Sequence, residues 1–273
     1  MTTMDPAATP PAVERAESLG SPGLARYPSL NGVTVFVTGG ASGIGADIVR
    51  GFAGQGAKVG FIDIDEAAAH ALVDACDSPT KPLFIAGDLT RIDILRAAIA
   101  ATRAAFGDVG VLVNNVANDQ RHVLGEVDEA FFDATVAVNL KPAFFAAQQV
   151  VPDMQRRGGG AIVNVGSTSW KVKSVNLAVY ATCKSAMTGL TRSLARELGA
   201  SRIRVNQVLP GWVMTEKQRR LWVDAEGERE MDRNQCLPGR LLGSDIAQMV
   251  LFLAADDSRM ITAQEFIVDA GWT

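Results

Sequence analysis

"VTVFVTGGASGIG", residues 33–45, runs from β-branched and aromatic side chains straight into a turn carrying four glycines. Beyond it Ile44, Ile48, Val49 and Phe52 recur at helical spacing, and Gly56 stands where a helix would end. The stretch therefore predicts a strand, a tight turn and a helix in direct succession. Gly39, Gly43 and Gly45 let a backbone turn sharply and approach a pyrophosphate, and the helix start offers unpaired N–H groups with a partial positive charge. The spacing departs from G-x-G-x-x-G, and close packing of helix on strand accounts for the glycines equally well on this stretch alone.

The alternation continues to the end of the chain. Short apolar runs follow at 59–62, 83–86, 109–113, 161–165, 204–209 and 265–269, separated by longer segments of helical period. Near-continuous apolar strands need both faces covered, so the pattern predicts an α/β fold: one doubly wound parallel sheet of seven strands. No linker or repeat interrupts residues 29–273, which read as one domain. Residues 1–28, rich in Pro, Ala, Ser and Gly, read as a flexible leader with neither a basic n-region nor an apolar h-region.

Bulk properties narrow the function classes. A net charge of −4 and a pI near 5.3 give no electrostatic reason to expect nucleic acid or an anionic membrane. Cys76, Cys183 and Cys236 lie far apart without metal-ligand spacing, so neither a metal nor a disulfide framework is expected. A cytoplasmic protein acting on a small molecule fits this profile.

In doubly wound sheets, ligands bind beyond the carboxyl ends of the strands. Asp63 directly follows the second run, about 20 residues after the glycine turn, where an acid can accept hydrogen bonds from an adenosine ribose. A carboxylate there repels a 2′-phosphate, and Ser42 before Gly43 is not basic, so NAD is preferred over NADP. Asp88 could meet an adenine edge or cap the next helix. Asn114 and Asn115 suit a tight passage with side chains bonded to main chain. Asn139, three residues before Pro142, predicts a helix kinked where the Val138 carbonyl loses its partner; such a kink can hold a water or be a simple bend. Ser167 follows the fifth run, and a loop from it can return to Tyr180. In "YATCK", 180–184, Tyr180 and Lys184 share a helical face, and an adjacent ammonium favours a phenolate. A snorkelling lysine on an amphipathic helix explains that pair too. Pro210 and Gly211 turn the chain after the sixth run and leave Val213 and Thr215 to face a cofactor carboxamide.

Together and in order, TGGASGIG, Asp63, GDLT, NNVA, Asn139, Ser167, YATCK and PGWVMT resemble the short-chain dehydrogenases/reductases over residues 30–273. The resemblance implies a Rossmann-like homotetramer, paired through the long helices after strands four and five. Tyr180 is then the general acid/base, Lys184 lowers its pKa and holds the nicotinamide ribose, Ser167 positions the reacting oxygen, and Asn139 anchors a relay water. The implied NAD site comprises Gly39, Ser42, Gly43, Ile44 and Gly45, then Asp63 with Ile64, Asp88 with Leu89, and Asn115. Tyr180, Lys184, Pro210, Gly211, Val213 and Thr215 complete it. The family's usual Asn-Asn-Ala-Gly reads Asn114-Asn115-Val116-Ala117 here, placing larger residues close to the cofactor.

Within the family, "NDQRH" (118–122), "GSTSW", "QCLPGR" and the closing "VDAGW" are similar to bacterial sugar 1-dehydrogenases of the D-xylose dehydrogenase kind. That implies NAD-dependent oxidation of the C1 hydroxyl of an aldose to a lactone. Asn118, Asp119, Arg121 and His122 would meet sugar hydroxyls, with Ser167 at the reacting oxygen and Trp170 as an apolar wall; solvated loop residues are the alternative. Other readings keep the chemistry but change the alcohol to a polyol, a hydroxy acid or a 3-oxoacyl thioester, or keep only NAD binding in a non-catalytic regulatory protein. The charged stretch 212–243 is too long for an ordinary connection and predicts short helices forming a lid over the substrate.

Overall fold

The computed structural model describes residues 25–273; residues 1–24, most of the expected leader, lie outside the described residues. Seven parallel strands form one sheet in the order β3-β2-β1-β4-β5-β6-β7. They are β1 (Thr34–Thr38), β2 (Lys58–Asp63), β3 (Leu83–Ala86), β4 (Val109–Asn114), β5 (Gly160–Val165), β6 (Ile203–Pro210) and β7 (Glu265–Val268). Each coincides with one of the apolar runs to within a residue or two at either end.

Alternate residues of each strand feed opposite cores. Val35 and Val37, Val111 and Val113, and Val163 face α1 (Gly43–Gly54), α2 (Glu66–Ala75) and α9 (Gly243–Ala254). Phe36, Leu112 and Ile162 face α3 (Ile92–Phe106), α5 (Lys141–Arg156) and α6 (Ala178–Leu198). Burying side chains of this size stabilises the fold by about 1.5–3 kcal/mol each, which is why both faces read as apolar. Helix α1 stops as expected: Gly56 takes φ +80° just past its end, a left-handed position that suits glycine. Among the described residues no helix is long and apolar enough to cross a membrane.

The segment after β4 corrects one expectation. Instead of one kinked helix, the chain breaks at Leu140 (φ −131°, ψ −51°), separating α4 (Glu129–Asn139) from α5. Pro142 has no N–H for the Val138 carbonyl. The Ala143 N–H, which an unbroken helix would direct at Asn139, donates to Leu140 O at 3.2 Å. Stretch 212–243 does contain two short helices, α7 (Glu216–Leu221) and α8 (Ala225–Asn234). At the other end, residues 25–27 are tied to the end of α1. The Gln55 side chain accepts from the Tyr27 N–H (2.9 Å) and donates to Ala25 O (3.1 Å).

A buried polar chain crosses the second core: Asn114 Nδ2 donates to Asn164 Oδ1 (2.8 Å), and Asn164 Nδ2 to Thr191 Oγ1 (2.9 Å). All three residues are buried. Asn164→Ala takes a partner from each neighbour and should cost about 1–3 kcal/mol, read as a lower urea midpoint at constant m-value. An unchanged midpoint would show that the chain contributes nothing to stability.

Candidate active site

Strands β1 and β4 are neighbours, but the chain leaves β1 toward β2 and leaves β4 toward β5, so their carboxyl ends open a crevice. A cleft of about 1010 Å³ occupies it. At one end lies the glycine turn. Gly39 adopts φ +69°, and a Cβ on Gly45 would stand 1.9 Å from the Gly39 carbonyl oxygen, so both positions exclude side chains. Ser42 does not cap α1 with its side chain, leaving the first N–H groups of that helix at the cleft wall. This cradle fits the pyrophosphate of a dinucleotide.

Asp63 leaves β2 beside the turn. Its carboxylate accepts the Ala41 N–H at 2.9 Å and the Asp65 N–H at 3.1 Å, keeping lone pairs for ribose hydroxyls. Asp88 accepts the Thr90 N–H at 2.9 Å, while α3 starts beyond Arg91, so its carboxylate shapes the turn and does not cap the helix. Thr38 Oγ1 accepts the N–H groups of Asn115 (3.0 Å) and Val116 (3.2 Å), and Asn115 Nδ2 donates to Gly39 O at 2.7 Å. These bonds lock the two strand ends together. Val116 then closes on Gly39, where a Cβ would come within 2.8 Å of Val116 Cα.

Mid-cleft, Lys184 is only 2% exposed and donates its ammonium to Val165 O at 2.8 Å, at the end of β5. Tyr180, one turn earlier on α6, has its phenol in the neighbourhood of the Ser167 hydroxyl, whose Oγ accepts the Ser169 N–H at 3.1 Å. Hydroxyl, phenol and ammonium thus converge on one stretch of wall. The direction of the phenol's shift corrects the sequence expectation. Burial pushes Tyr180 above the usual phenol range, the Asp119 charge adds to it, and the Ser167 hydroxyl only partly offsets them. Lys184 does not reverse this: its ammonium lies 5.8 Å from the ring centroid, is spent on a carbonyl, and is itself brought down to about 8 by burial.

Asn139 is buried behind the wall and does not border the cleft. Its Oδ1 accepts the Asn118 N–H (2.9 Å), and its Nδ2 donates to Asn118 O (3.1 Å) and Thr135 O (2.9 Å). The amide is fully used in holding the loop after β4.

At the far end that loop meets the lid. Asp119 accepts from Lys217 Nζ (2.6 Å) and Gln218 Nε2 (2.5 Å), both on α7, and Gln218 Oε1 accepts the Trp212 indole N–H (3.0 Å). Asp119 is therefore a latch between loop and lid, with both carboxylate oxygens occupied. Asn118 borders the cleft, its Oδ1 3.4 Å from the same ammonium. Thr215 lies in the wall and caps α7 through its hydroxyl. Trp170 corrects another expectation: it does not border the cleft. Lys171 and Val172 donate their N–H groups to Thr168 O, turning the chain, and the Lys171 ammonium, paired with Glu265, covers the Trp170 ring at 4.2 Å. The apolar wall is instead Trp212 with Trp272, ring centroids 6.4 Å apart, and Arg121 lies over Trp222 at 4.5 Å.

Apart from His122, which turns away toward α6, every other expected residue borders the cleft: Ile44, Ile64, Leu89, Pro210, Gly211 and Val213 as well as those described above. Sequence reasoning missed Trp212 and Trp272 as wall and Lys217 and Gln218 as latch. The indoles follow the carboxyl ends of β6 and β7, so the strand-end rule could have found them; the latch is a contact across 98 positions or more and carries no local signal.

A family model described as "Enoyl-(Acyl carrier protein) reductase" matches residues 39–273. The chain is 46% identical over 247 residues to the D-xylose 1-dehydrogenase of Caulobacter vibrioides, covering 90% of this chain and 98% of that one. It is 44% identical over 248 residues to the Rhizobium meliloti protein named "Probable galactose dehydrogenase GalD", covering 90% and 97%. Among solved structures, a short-chain type dehydrogenase/reductase from Mycobacterium ulcerans superposes with TM-score 0.85 at 27% identity, covering 89% and 90%. A metagenomic blue fluorescent protein in complex with NADPH gives TM-score 0.81 at 36% identity, covering 90% and 99%.

The latch has a pH signature. Burial works against the Asp119 charge, but the Lys217 ammonium and the Gln218 amide outweigh it and hold the carboxyl below its ordinary value. Its contribution is therefore present above the unfolded carboxyl value and is lost as pH falls through the lowered folded one. Lys217→Met should cost no more than about 1 kcal/mol at neutral pH, seen as a lower Tm, and the gap from wild type should close in acid. A gap that persists in acid would mean that the ion pair is not its cause.

Proposed function

The chain belongs to the short-chain dehydrogenase/reductase family, whose members use a nicotinamide cofactor, and from that premise we propose that it oxidises the C1 hydroxyl of an aldose to the lactone with NAD. The observation that carries the catalytic part is the gathering of Ser167, Tyr180 and buried Lys184 on the wall of the same cleft that holds the glycine cradle. The sugar is supported by the two relatives named for D-xylose and galactose.

When bound, the oxidised nicotinamide supplies the acceptor for the C1 hydride and a positive charge. The chain supplies the rest. Ser167 and Tyr180 hold the C1 oxygen, and the phenolate form of Tyr180, which the positive charge of a bound nicotinamide would favour against burial, takes its proton while the C1–H bond breaks and the C1=O bond of the lactone forms. Lys184 holds its ammonium at the end of β5 beside the phenol, and the cofactor ribose is assigned to it as well. Asn139 fixes the loop that carries Asn118 and Asp119. The sugar ring is assigned to Trp212, Trp272, Asn118 and Arg121, a wall of indole faces with polar groups at its edge.

NAD over NADP rests on the Asp63 carboxylate at the end of β2, which would oppose a 2′-phosphate, with no basic residue at Ser42. The assignment extends to a single NAD-binding domain over 29–273 and a cytoplasmic homotetramer. Phe144, 48% exposed on α5, is the kind of side chain such an interface would cover.

Oxidation of an aldose should produce NADH and an aldonic acid after lactone hydrolysis, while the 1-deoxy analogue stays inert. A broad aldose panel without NADH formation, alongside turnover of a polyol, hydroxy acid or acyl-thioester alcohol, would reject the sugar. Tyr180→Phe should keep NAD affinity and lose at least about 10²-fold in kcat. Asp63→Ala combined with Ile64→Arg should shift kcat/KM toward NADP; equal use of both cofactors by the unaltered enzyme counts against the NAD assignment.

A further inference from the structure

His122 closes the "NDQRH" run, yet it does not border the cleft. Its ring points to the start of the catalytic helix. Nε2 accepts the Val179 N–H at 3.1 Å, and Nδ1 lies 3.1 Å from Gln120 O. The His122 N–H donates to Asn176 O at 2.8 Å, and the ring packs on Phe131 of α4 with centroids 4.9 Å apart. An accepting Nε2 carries no proton, so Nδ1 carries it and donates to Gln120: one neutral tautomer satisfies both bonds. A solvated loop histidine would make none of these contacts.

Val179 immediately precedes Tyr180 in the first turn of α6, where N–H groups have no partner within the helix. Leu177, at the N-cap, offers no side-chain bond. The loop leading in does not fix the helix start by regular structure either, since Lys173 and Asn176 both take φ +58°. The first turn is therefore held from outside. One turn later Lys184 fastens α6 to Val165 at the end of β5. The rest of α6 is held further along by Thr191 on Asn164 and by its packing in the second core, so the bond from His122 is the one that reaches its first turn, beside Tyr180.

We infer that His122 is a positioning residue for Tyr180: from the loop after β4 its imidazole fixes the first turn of α6, and with it the direction of the phenol. The inference rests on the reading that Tyr180 takes the substrate proton. It gives the "NDQRH" run a structural division of labour, in which the Asn118 main chain is held by Asn139, Asp119 latches α7, and His122 sets α6.

Three variants separate this role from simple packing. In His122→Gln the amide oxygen lies as many bonds from Cβ as Nε2 and can still accept from Val179. In His122→Asn the amide ends at the position of Nδ1, keeping the Gln120 contact and losing Val179. His122→Phe keeps only the packing on Phe131. With saturating NAD, on whichever alcohol the wild type oxidises, Asn and Phe should lose about 10- to 100-fold in kcat with KM little changed, and Gln should recover most of it. Without cofactor or substrate, amide exchange across 178–184 should be faster in the Asn variant than in the Gln variant. Equal kcat in the Gln and Asn variants, or losses that simply follow Tm, would overturn the assignment. Because the comparison uses any alcohol that is turned over, it stands apart from the aldose reading.

Discussion

An ammonium buried to 2% exposure must find a partner or lose its charge, and the site is built around how Lys184 meets that constraint. Its bond to Val165 O fastens α6 to the last residue of β5, two residues before Ser167. Together with the Asn164–Thr191 bond further along, it ties the strand that leads to the hydroxyl to the helix that carries the phenol. Of the bonds that hold α6 to the sheet, the Lys184 bond is the one nearest to both Ser167 and Tyr180. The same burial draws the ammonium down to about 8 and pushes the phenol up, so both groups are sensitive to any charge that enters the cleft.

A second set of bonds fixes the opposite wall. Thr38 Oγ1 collects two N–H groups from the loop after β4, and Asn115 returns a bond to Gly39. These short polar contacts lock the ends of β1 and β4 together beneath the crevice, and Val116 occupies its floor against Gly39. The larger Val116 is accommodated because its partner is a glycine at φ +69°, with no side chain to meet it. Beyond this floor the loop after β4 carries the contacts to α4, α6 and α7, so one short segment links all three helices.

The departures from sequence expectation share a cause. Pro142 announces that a helix cannot run smoothly through Asn139, but not that the helix ends there with Asn139 held by Asn118, 21 positions earlier. Trp170 follows Ser167 closely in the chain, but the turn at Thr168 and the Lys171–Glu265 pair direct its ring away from the cleft. The i, i+4 spacing places Tyr180 and Lys184 on one face without saying that the ammonium would spend itself on a carbonyl. Asp119 is polar and well placed for a sugar hydroxyl, yet α7 returns to occupy both of its oxygens. In each case a partner distant in sequence decided the outcome.

The sequence by itself determined the architecture, because apolar alternation and glycine placement act within a few residues: the seven strands, their parallel order of connection, the glycine cradle and Asp63 follow from local rules. It also pointed to most of the residues that gather at the cleft, since segments after a strand's carboxyl end arrive at the same edge of the sheet, but not to the turning away of Asn139, Trp170 and His122. Tertiary structure alone decided how those residues are engaged. The direction of the phenol's shift, the indoles that form the wall, the latch at Asp119 and the seat of His122 on α6 depend on burial and on hydrogen bonds across 57 to 99 positions, which no local pattern encodes.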